Sequence, residues 1–499
     1  METLSQLAFG LGIAITWQNL AYCFVGCLLG TLVGVLPGIG PVTTVAMLLP
    51  FTFTVGPASA LIMLAGIYYG AQYGGSTTAI LVNIPGEASS VVTTLDGHQL
   101  ALQGRAGPAL GIAAIGSFIA GCFATLVIAY LAPPLAAVAL KFGPADYFSL
   151  MVFGLVASVV LARGSVIKAV AMMCLGILLG MVGTDVNSGG IRFGAGIPQL
   201  TDGIGFVGLA MAFFGITDVL LNLEGKEKQE VFSTRIGRVL PSGADLLVSA
   251  PAIARGTILG SILGILPGGG ALLASFAAYM LEKNVARPPR FFGRGDIRGV
   301  AAPESANNAG AQTSFIPMLT LGVPSHPTMA LMIGALMIQG VTPGPNVMNE
   351  RPELFWGLIA SMWIGNLMLL VLNLPLVGLW VRLLAIPYRL LFPAIFVFCC
   401  IGVYSVGNEI FEIYILAVLA AIGYVLLKLD CEPAPMVLGF VLGPMLEENL
   451  RRAMLISFGD PVVFIQRPIS AAFLLATVLA LIALCLPSMR ARRDEAMRE

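Results

Sequence analysis

Residues 30–40 read GTLVGVLPGIG and residues 260–270 read GSILGILPGGG. Both fit one template: Gly, three apolar or small residues, Gly, two apolar residues, then Pro-Gly-x-Gly. The copies lie 230 positions apart, Gly34 to Gly264 and Pro37 to Pro267. Each is embedded in apolar sequence, where Pro and Gly interrupt a helix that would otherwise run on. A helix broken inside a bilayer frees backbone amides and carbonyls, which are tolerated only where protein or a water-lined cavity meets them. The pair therefore predicts a substrate and ion site between two halves of a transporter.

Composition sets the class. Of 499 residues 58% are hydrophobic and only 10% charged, with a mean hydropathy of +0.93. Soluble domains carry about 25% charged residues, so this chain has too few charges to clothe a water-exposed surface of its size. It predicts an all-α polytopic membrane protein with roughly 10–12 transmembrane helices at about 20 residues each. With 26 basic and 26 acidic residues the net charge is zero, which argues against a nucleic-acid partner and leaves the lipid bilayer as the surrounding phase. The eight cysteines lie mostly in apolar runs without C-x-x-C spacing and read as small core residues. The N-terminus lacks the basic n-region of an ordinary signal peptide.

Basic residues give orientation. Lys226, Lys228, Arg235 and Arg238 form one cluster and Lys283, Arg287, Arg290, Arg294 and Arg298 another; Arg490, Arg492, Arg493 and Arg498 mark the tail. Cytoplasmic loops carry the basic excess, so these three segments are expected inside, with the C-terminus cytoplasmic. The first motif has uncharged flanks and predicts a hairpin of two short half-helices, Tyr22–Leu36 and Val42–Phe53, entered from outside. Five crossings follow, near Ala58–Ile80, Ala109–Leu131, Asp146–Leu161, Ile167–Val182 and Gly205–Leu221. The second motif lies between the two basic loops, so its hairpin enters from the cytoplasm. One motif approached from opposite faces is the signature of two inverted-topology repeats with re-entrant or broken helices. Later crossings are expected near Ser305–Leu321, Leu354–Trp380, Ala394–Val406, Ile413–Leu427, Ala434–Leu446 and Ala471–Leu486. Arg451 and Arg452 then fall outside, against the rule. The resulting division is 1–19, an interfacial or extra helix; 20–224, repeat 1; 225–250, a cytoplasmic linker; 251–450, repeat 2; and 451–499, a final helix with the basic tail.

A second element repeats more loosely. Tyr69–Glu87 and Glu304–Thr328 both contain Gly-Ala-Gln (Gly70-Ala71-Gln72 and Gly310-Ala311-Gln312), then Ser, Thr and Gly, an apolar stretch, and a Pro-Gly or Pro-Ser break.

The breaks matter for what they expose. A half-helix starting after Pro-Gly-x-Gly presents unpaired N–H groups and a positive dipole end, which suit a carboxylate, while unwound carbonyls suit a small cation. The candidate substrate- and ion-binding residues at the tips are Gly38, Gly40, Thr43 and Thr44, with Gly268, Gly269, Gly270 and Ser275 in the second copy. Gly30, Gly34, Gly260 and Gly264, spaced by four, fit helix-packing faces instead. Ser76, Thr77, Thr78 and Asn83, with Asn307, Asn308, Gln312, Thr313 and Ser314, are polar residues in apolar segments. They need partners, either in neighbouring helices or in a ligand. Glu87, Asp96, Asp218 and Glu304 are the acidic residues near the motifs, and an ionisable group at depth is a functional candidate by default; Glu87 and Glu304 equally fit helix N-termini. His98 and His326 fit either a proton relay or hydrogen-bonded structure. No metal-ligand spacing is present. The absence of G-x-x-x-x-G-K-[ST], G-x-S-x-G and H-E-x-x-H disfavours a P-loop ATPase, a serine hydrolase and a zinc protease.

The paired motif, GTLVGVLPGIGPVTTVAMLLPFTF (30–53), YYGAQYGGSTTAILVNIPGEASSV (68–91) and ESANNAGAQTSFIPMLTLGVPSHPTMALMIGALMIQGVTPGP (304–345) closely resemble the large membrane subunit (TctA type) of the tripartite tricarboxylate transporter family. The resemblance implies a bacterial inner-membrane permease, not an enzyme, that imports tricarboxylates or related carboxylates on a Na+ or H+ gradient. It also implies a small membrane subunit (TctB type) and a periplasmic solute-binding protein (TctC type). In the second copy Gly269-Gly270-Ala271 stands where the first has Ile39-Gly40-Pro41, so the tips need not bind the same thing. An intramembrane enzyme and a passive anion channel are the alternatives.

Overall fold

In the computed structural model the described residues are 2–36, 40–162, 165–185, 188–224, 239–266, 270–383 and 388–485. They are helical almost throughout, with one two-stranded antiparallel hairpin, Gly183–Thr184 against Ile191–Arg192. The first half runs α1 (Glu2–Ala14), α2 (Trp17–Val35), α3 (Pro41–Leu48), α4 (Pro57–Val82), α5 (Val91–Leu102), α6 (Ala106–Ala139), α7 (Pro144–Leu161) and α8 (Val166–Gly180). It ends in α9 (Phe206–Ala210), a π-helical turn (Met211–Ile216) and α10 (Thr217–Glu224). The second half opens with α11 (Gly243–Gly264), α12 (Gly270–Val285), α13 (Arg298–Thr313), α14 (Phe315–Leu321) and α15 (Pro327–Ile338). It continues through α16 (Val347–Glu350), α17 (Pro352–Asn373), α18 (Val377–Leu383), α19 (Tyr388–Gly407), α20 (Ile410–Lys428), α21 (Ala434–Ile456), α22 (Val463–Gln466) and α23 (Pro468–Cys485). Proline opens α3, α4, α7, α15 and α17, the one place in a helix where its missing N–H is harmless.

Five described helices, α2, α6, α11, α17 and α20, are long and apolar enough to cross a membrane. The chain is an all-α, multi-pass membrane protein. Several predicted boundaries shift for local reasons. The first arm of each broken unit is longer than a half-helix: α2 has 19 residues and α11 has 22. Thr16 starts α2 early by capping it, its hydroxyl accepting from the Asn19 N–H at 3.4 Å. α6, predicted over Ala109–Leu131, runs 34 residues, about 50 Å at 1.5 Å per residue against a hydrocarbon core of about 30 Å. The span predicted over Leu354–Trp380 breaks after Asn373, because Pro375 follows. That predicted over Ser305–Leu321 begins at Arg298 and is interrupted at Ser314, three residues before Pro317.

Glycine sets how the helices meet. A Cβ at Gly26, Gly30 or Gly34 of α2 would land on the carbonyl oxygens of Met63, Ile67 and Ala71 of α4. A Cβ at Gly256, Gly260 or Gly264 of α11 would strike the carbonyls of Ala302, Ala306 and Gly310 of α13. The packing reading of Gly30, Gly34, Gly260 and Gly264 is what the structure displays: backbones touch where side chains would separate them. Positions rise together in both pairs, so α2 runs alongside α4 in the same direction, and α11 alongside α13. By contrast, the Tyr69 ring lies 5.9 Å from Phe315 while Ser76 reaches back to Glu304. α4 and α13 therefore run in opposite directions. α6 follows α13, Ser117 lying against Glu304 and Thr125 against Gln312.

Arg451 and Arg452 violate no charge logic locally. Arg451 pairs with Asp185 at 3.1 Å and Glu447 at 2.6 Å, and Arg452 pairs with Glu448, so α21 presents neutralised pairs rather than a free basic cluster.

A buried carboxylate site between the two halves

α13 carries only polar or small residues from Glu304 to Thr313, ESANNAGAQT, and all of them are buried. A helix of that composition has no apolar face to hold it, so its packing rests on close backbone contact and hydrogen bonds. Glu304 is 0% exposed. Its Oε2 accepts from the Ser76 hydroxyl on α4 at 2.5 Å, and its Oε1 accepts from the Thr93 hydroxyl on α5. Both donors belong to the first half.

A second carboxylate reverses the arrangement. Glu87, in the turn between α4 and α5, takes its bonds from Ser89 and from Asn307 Nδ2 on α13, the latter at 3.1 Å. Ser89 also lies 3.0 Å from Gln72 Oε1. A single hydroxyl proton cannot serve both, so Gln72 with its amide turned over would donate to Ser89. Neither carboxylate has a Lys, Arg or His ion-pair partner among the described residues. Glu87 is half-buried, whereas Glu304, fully buried without a fixed cation, must be neutralised by a proton or by a mobile cation.

The broken helices flank this pair. Thr78 donates to the Val35 carbonyl at 2.9 Å, closing the end of α2. Gly86 packs on the Gly34 carbonyl, which brings the Glu87 turn to the first break. At the second break Gly270 has φ +44°, a left-handed geometry that favours glycine, and a Cβ there would meet the His326 ring. His326 Nε2 lies 3.0 Å from the Tyr68 hydroxyl and 3.3 Å from Ser314 Oγ. α4 thus touches the first break around Thr78 and the surroundings of the second around Tyr68, ten residues earlier.

The remaining candidates divide. Gly38, Gly268 and Gly269 lie outside the described residues, as does the side chain of Asp218. Gly40 faces open space. Thr43 donates to the Phe214 carbonyl and Thr44 to the Gly40 carbonyl. Asn83 is an exposed left-handed cap of α4 at φ 57°, a turn geometry that asparagine tolerates. Ser275 bonds the Pro303 carbonyl and Thr313 the Ala309 carbonyl. Asn308 donates to Ser117 Oγ at 2.7 Å. Asp96 is a structural acceptor, taking bonds from Tyr279 Oη and the N–H groups of Gly295 and Asp296, each at 2.9 Å.

Two groups beyond the sequence candidates complete the site. A narrow cleft opens between α4, α6 and α17, with Tyr73, Ser76, Thr77, Ser117 and Asn373 on its walls. On its own stretch of α6, Gly121 lies beneath Gln312 and Asn366, whose amides would surround a Cβ built there. Gln312 Nε2 and both side-chain polar atoms of Asn366 are buried without a partner among the described residues. Asn366 and Asn373 stand seven apart in the otherwise apolar last third of α17, and Ser117 and Thr125 are the only Ser or Thr in α6. Those isolated polar residues were the available signal.

The chain is 57% identical over all 499 residues to an Agrobacterium vitis protein described as an uncharacterized 52.8 kDa protein in the TAR-I ttuC' 3' region, covering 99% of that protein. It is 60% identical over 240 residues, 48% of this chain and 99% of the relative, to an uncharacterized A. vitis protein in the TAR-II ttuC' 3' region. No solved structure matches. Residues 20–438, which span both broken units and every residue of the buried cluster, match the Tripartite tricarboxylate transporter TctA family, and the chain belongs to that family.

Proposed function

We propose that this chain is the permease subunit of a binding-protein-dependent secondary transporter that imports tricarboxylates or related carboxylates on a Na+ or H+ gradient. The observation that carries the reading is Glu304, buried at the meeting of two oppositely running helices and held by hydroxyls of the other half. A carboxylate in that position changes its proton or cation occupancy at the cost of bonds that join the halves. Ion binding and the relative position of the halves are then one event. The broken helices supply N-terminal N–H groups for the substrate carboxylates, and the antiparallel course of α4 and α13 supports two inverted-topology repeats over 20–224 and 251–450.

Family membership is in a transporter family rather than an enzyme family. It supports a small TctB-type membrane subunit and a TctC-type periplasmic binding protein as partners in the bacterial inner membrane, and the basic tail at Arg490, Arg492, Arg493 and Arg498 supports a cytoplasmic C-terminus. The test is reconstitution with both partners. Labelled citrate or a related carboxylate should accumulate only under an imposed inward ion gradient. Uptake indifferent to every gradient would refute the mechanism, and chemical turnover of the carboxylate would replace it with an enzyme.

A further inference from the structure

The cleft between α4, α6 and α17 differs in chemistry from the rest of the buried site. Five of its lining residues carry a side-chain oxygen: Tyr73, Ser76, Thr77, Ser117 and Asn373. Tyr73 and Asn373 are only 3% and 7% exposed, and both their side-chain oxygens lack a partner among the described residues. The Thr77 hydroxyl makes one long contact, 3.5 Å to the Tyr73 carbonyl, which leaves its lone pairs free. The amide of Asn373 donates through Nδ2 to the Leu369 carbonyl at 2.9 Å and to Thr31 Oγ1 at 3.5 Å. The remaining wall is Leu110, Ala113 and Ala114. Ser76, shared by both places, connects the cleft to the Glu304 carboxylate.

We propose that this cleft binds a dehydrated monovalent cation of sodium size, with Glu304 supplying the balancing charge through Ser76. The inference rests on the ion-driven reading above and adds the ion's chemical class and its place. Oxygen donors in an otherwise apolar wall suit a hard cation. Only one carboxylate lies at hand, through Ser76, which is too little negative charge for a dedicated divalent site. A substrate carboxylate is disfavoured because the Glu304 carboxylate stands one hydroxyl away, at Ser76, and like charges repel. The ion would bridge α4 of the first half to α17 of the second.

The test is equilibrium binding of ²²Na+ to the purified full-length protein, repeated with Tyr73→Phe and Thr77→Val, which remove oxygen with little change of shape. Ser361→Ala on α17 serves as control, since that hydroxyl bonds its own helix at Leu358, 2.7 Å away. Each cleft variant should weaken sodium binding about tenfold, the scale of one bond to a charged group, while the control binds as wild type. Sodium affinity unchanged in both cleft variants would overturn the site. So would a wild-type protein that binds no sodium yet accumulates carboxylate on a proton gradient; that outcome makes the cleft a water site and leaves the transport reading intact. Sodium binding lost as expected, with uptake blind to every gradient, would instead retain the site and overturn the transport reading.

Discussion

Ser76 on α4 donates a hydrogen bond to Glu304 on α13, joining two helices that run in opposite directions and belong to different halves of the chain. Because the carboxylate lacks an ion-pair partner among the described residues, its charge state is the variable on which this contact depends. Glu304→Gln keeps the shape and a carbonyl acceptor but fixes the group as neutral. Reconstituted uptake should fall at least about tenfold, the scale of one lost charge-assisted interaction. The folded fraction and thermal unfolding should stay near wild type. A fully active variant would remove Glu304 from ion coupling.

Glycine packing gives a prediction about stability. A side chain at Gly30 or Gly260 would strike the backbone carbonyl of Ile67 or Ala306, which cannot rotate away. Gly30→Val and Gly260→Val should each destabilise the protein by about 1–3 kcal/mol or more. Gly40→Ala, in open space at φ −78°, should change stability by less than about 0.5 kcal/mol. Thermal unfolding in detergent separates the two outcomes.

Asn366 should show a trade-off between stability and activity. Its buried amide has no partner among the described residues, and desolvating such a group costs about 1–3 kcal/mol. Asn366→Leu should therefore raise the unfolding temperature while lowering carboxylate uptake. A variant that unfolds earlier would mean the amide is satisfied in the native protein, and one with full uptake would limit it to packing.

The loop before α13 predicts a pH dependence. Burial pushes the Asp296 carboxyl up, but the Arg298 guanidinium and the N–H groups of Phe291 and Arg298 outweigh it and hold it below its ordinary value of 3.8. A carboxylate with a depressed folded value contributes stability above its unfolded value, lost as pH falls through the folded one. Asp296→Asn should be less stable than wild type at neutral pH, and the gap should close below about pH 4. Unfolding followed against pH in both proteins checks the sign.

The amino-acid sequence by itself determined the class and the punctuation of this protein. Fifty-eight per cent hydrophobic residues and ten per cent charged leave a membrane as the solvent, and Pro-Gly-x-Gly in an apolar run must break a helix wherever the chain goes. The four-residue glycine spacing likewise announces close backbone packing, and it is found on both α2 and α11. Helix ends were less legible, because Thr16, Pro317 and Pro375 act through local geometry that hydrophobicity does not register.

Only the tertiary structure decided which polar residues meet. Ser76 and Glu304 are 228 positions apart, and nothing in either local sequence selects the other. Thr93, Ser117, Asn366 and Asn373 each read as one polar residue in an apolar or mixed helix, and their significance comes from facing the same interior. Thr44 and Thr313, equally plausible beforehand, turn back to their own helix carbonyls, because a hydroxyl four residues from a carbonyl already has an acceptor within reach. The physical reason is the same in each case: periodicity tells which residues share a face of one helix, whereas the partners of a buried polar group are set by how several helices are packed together.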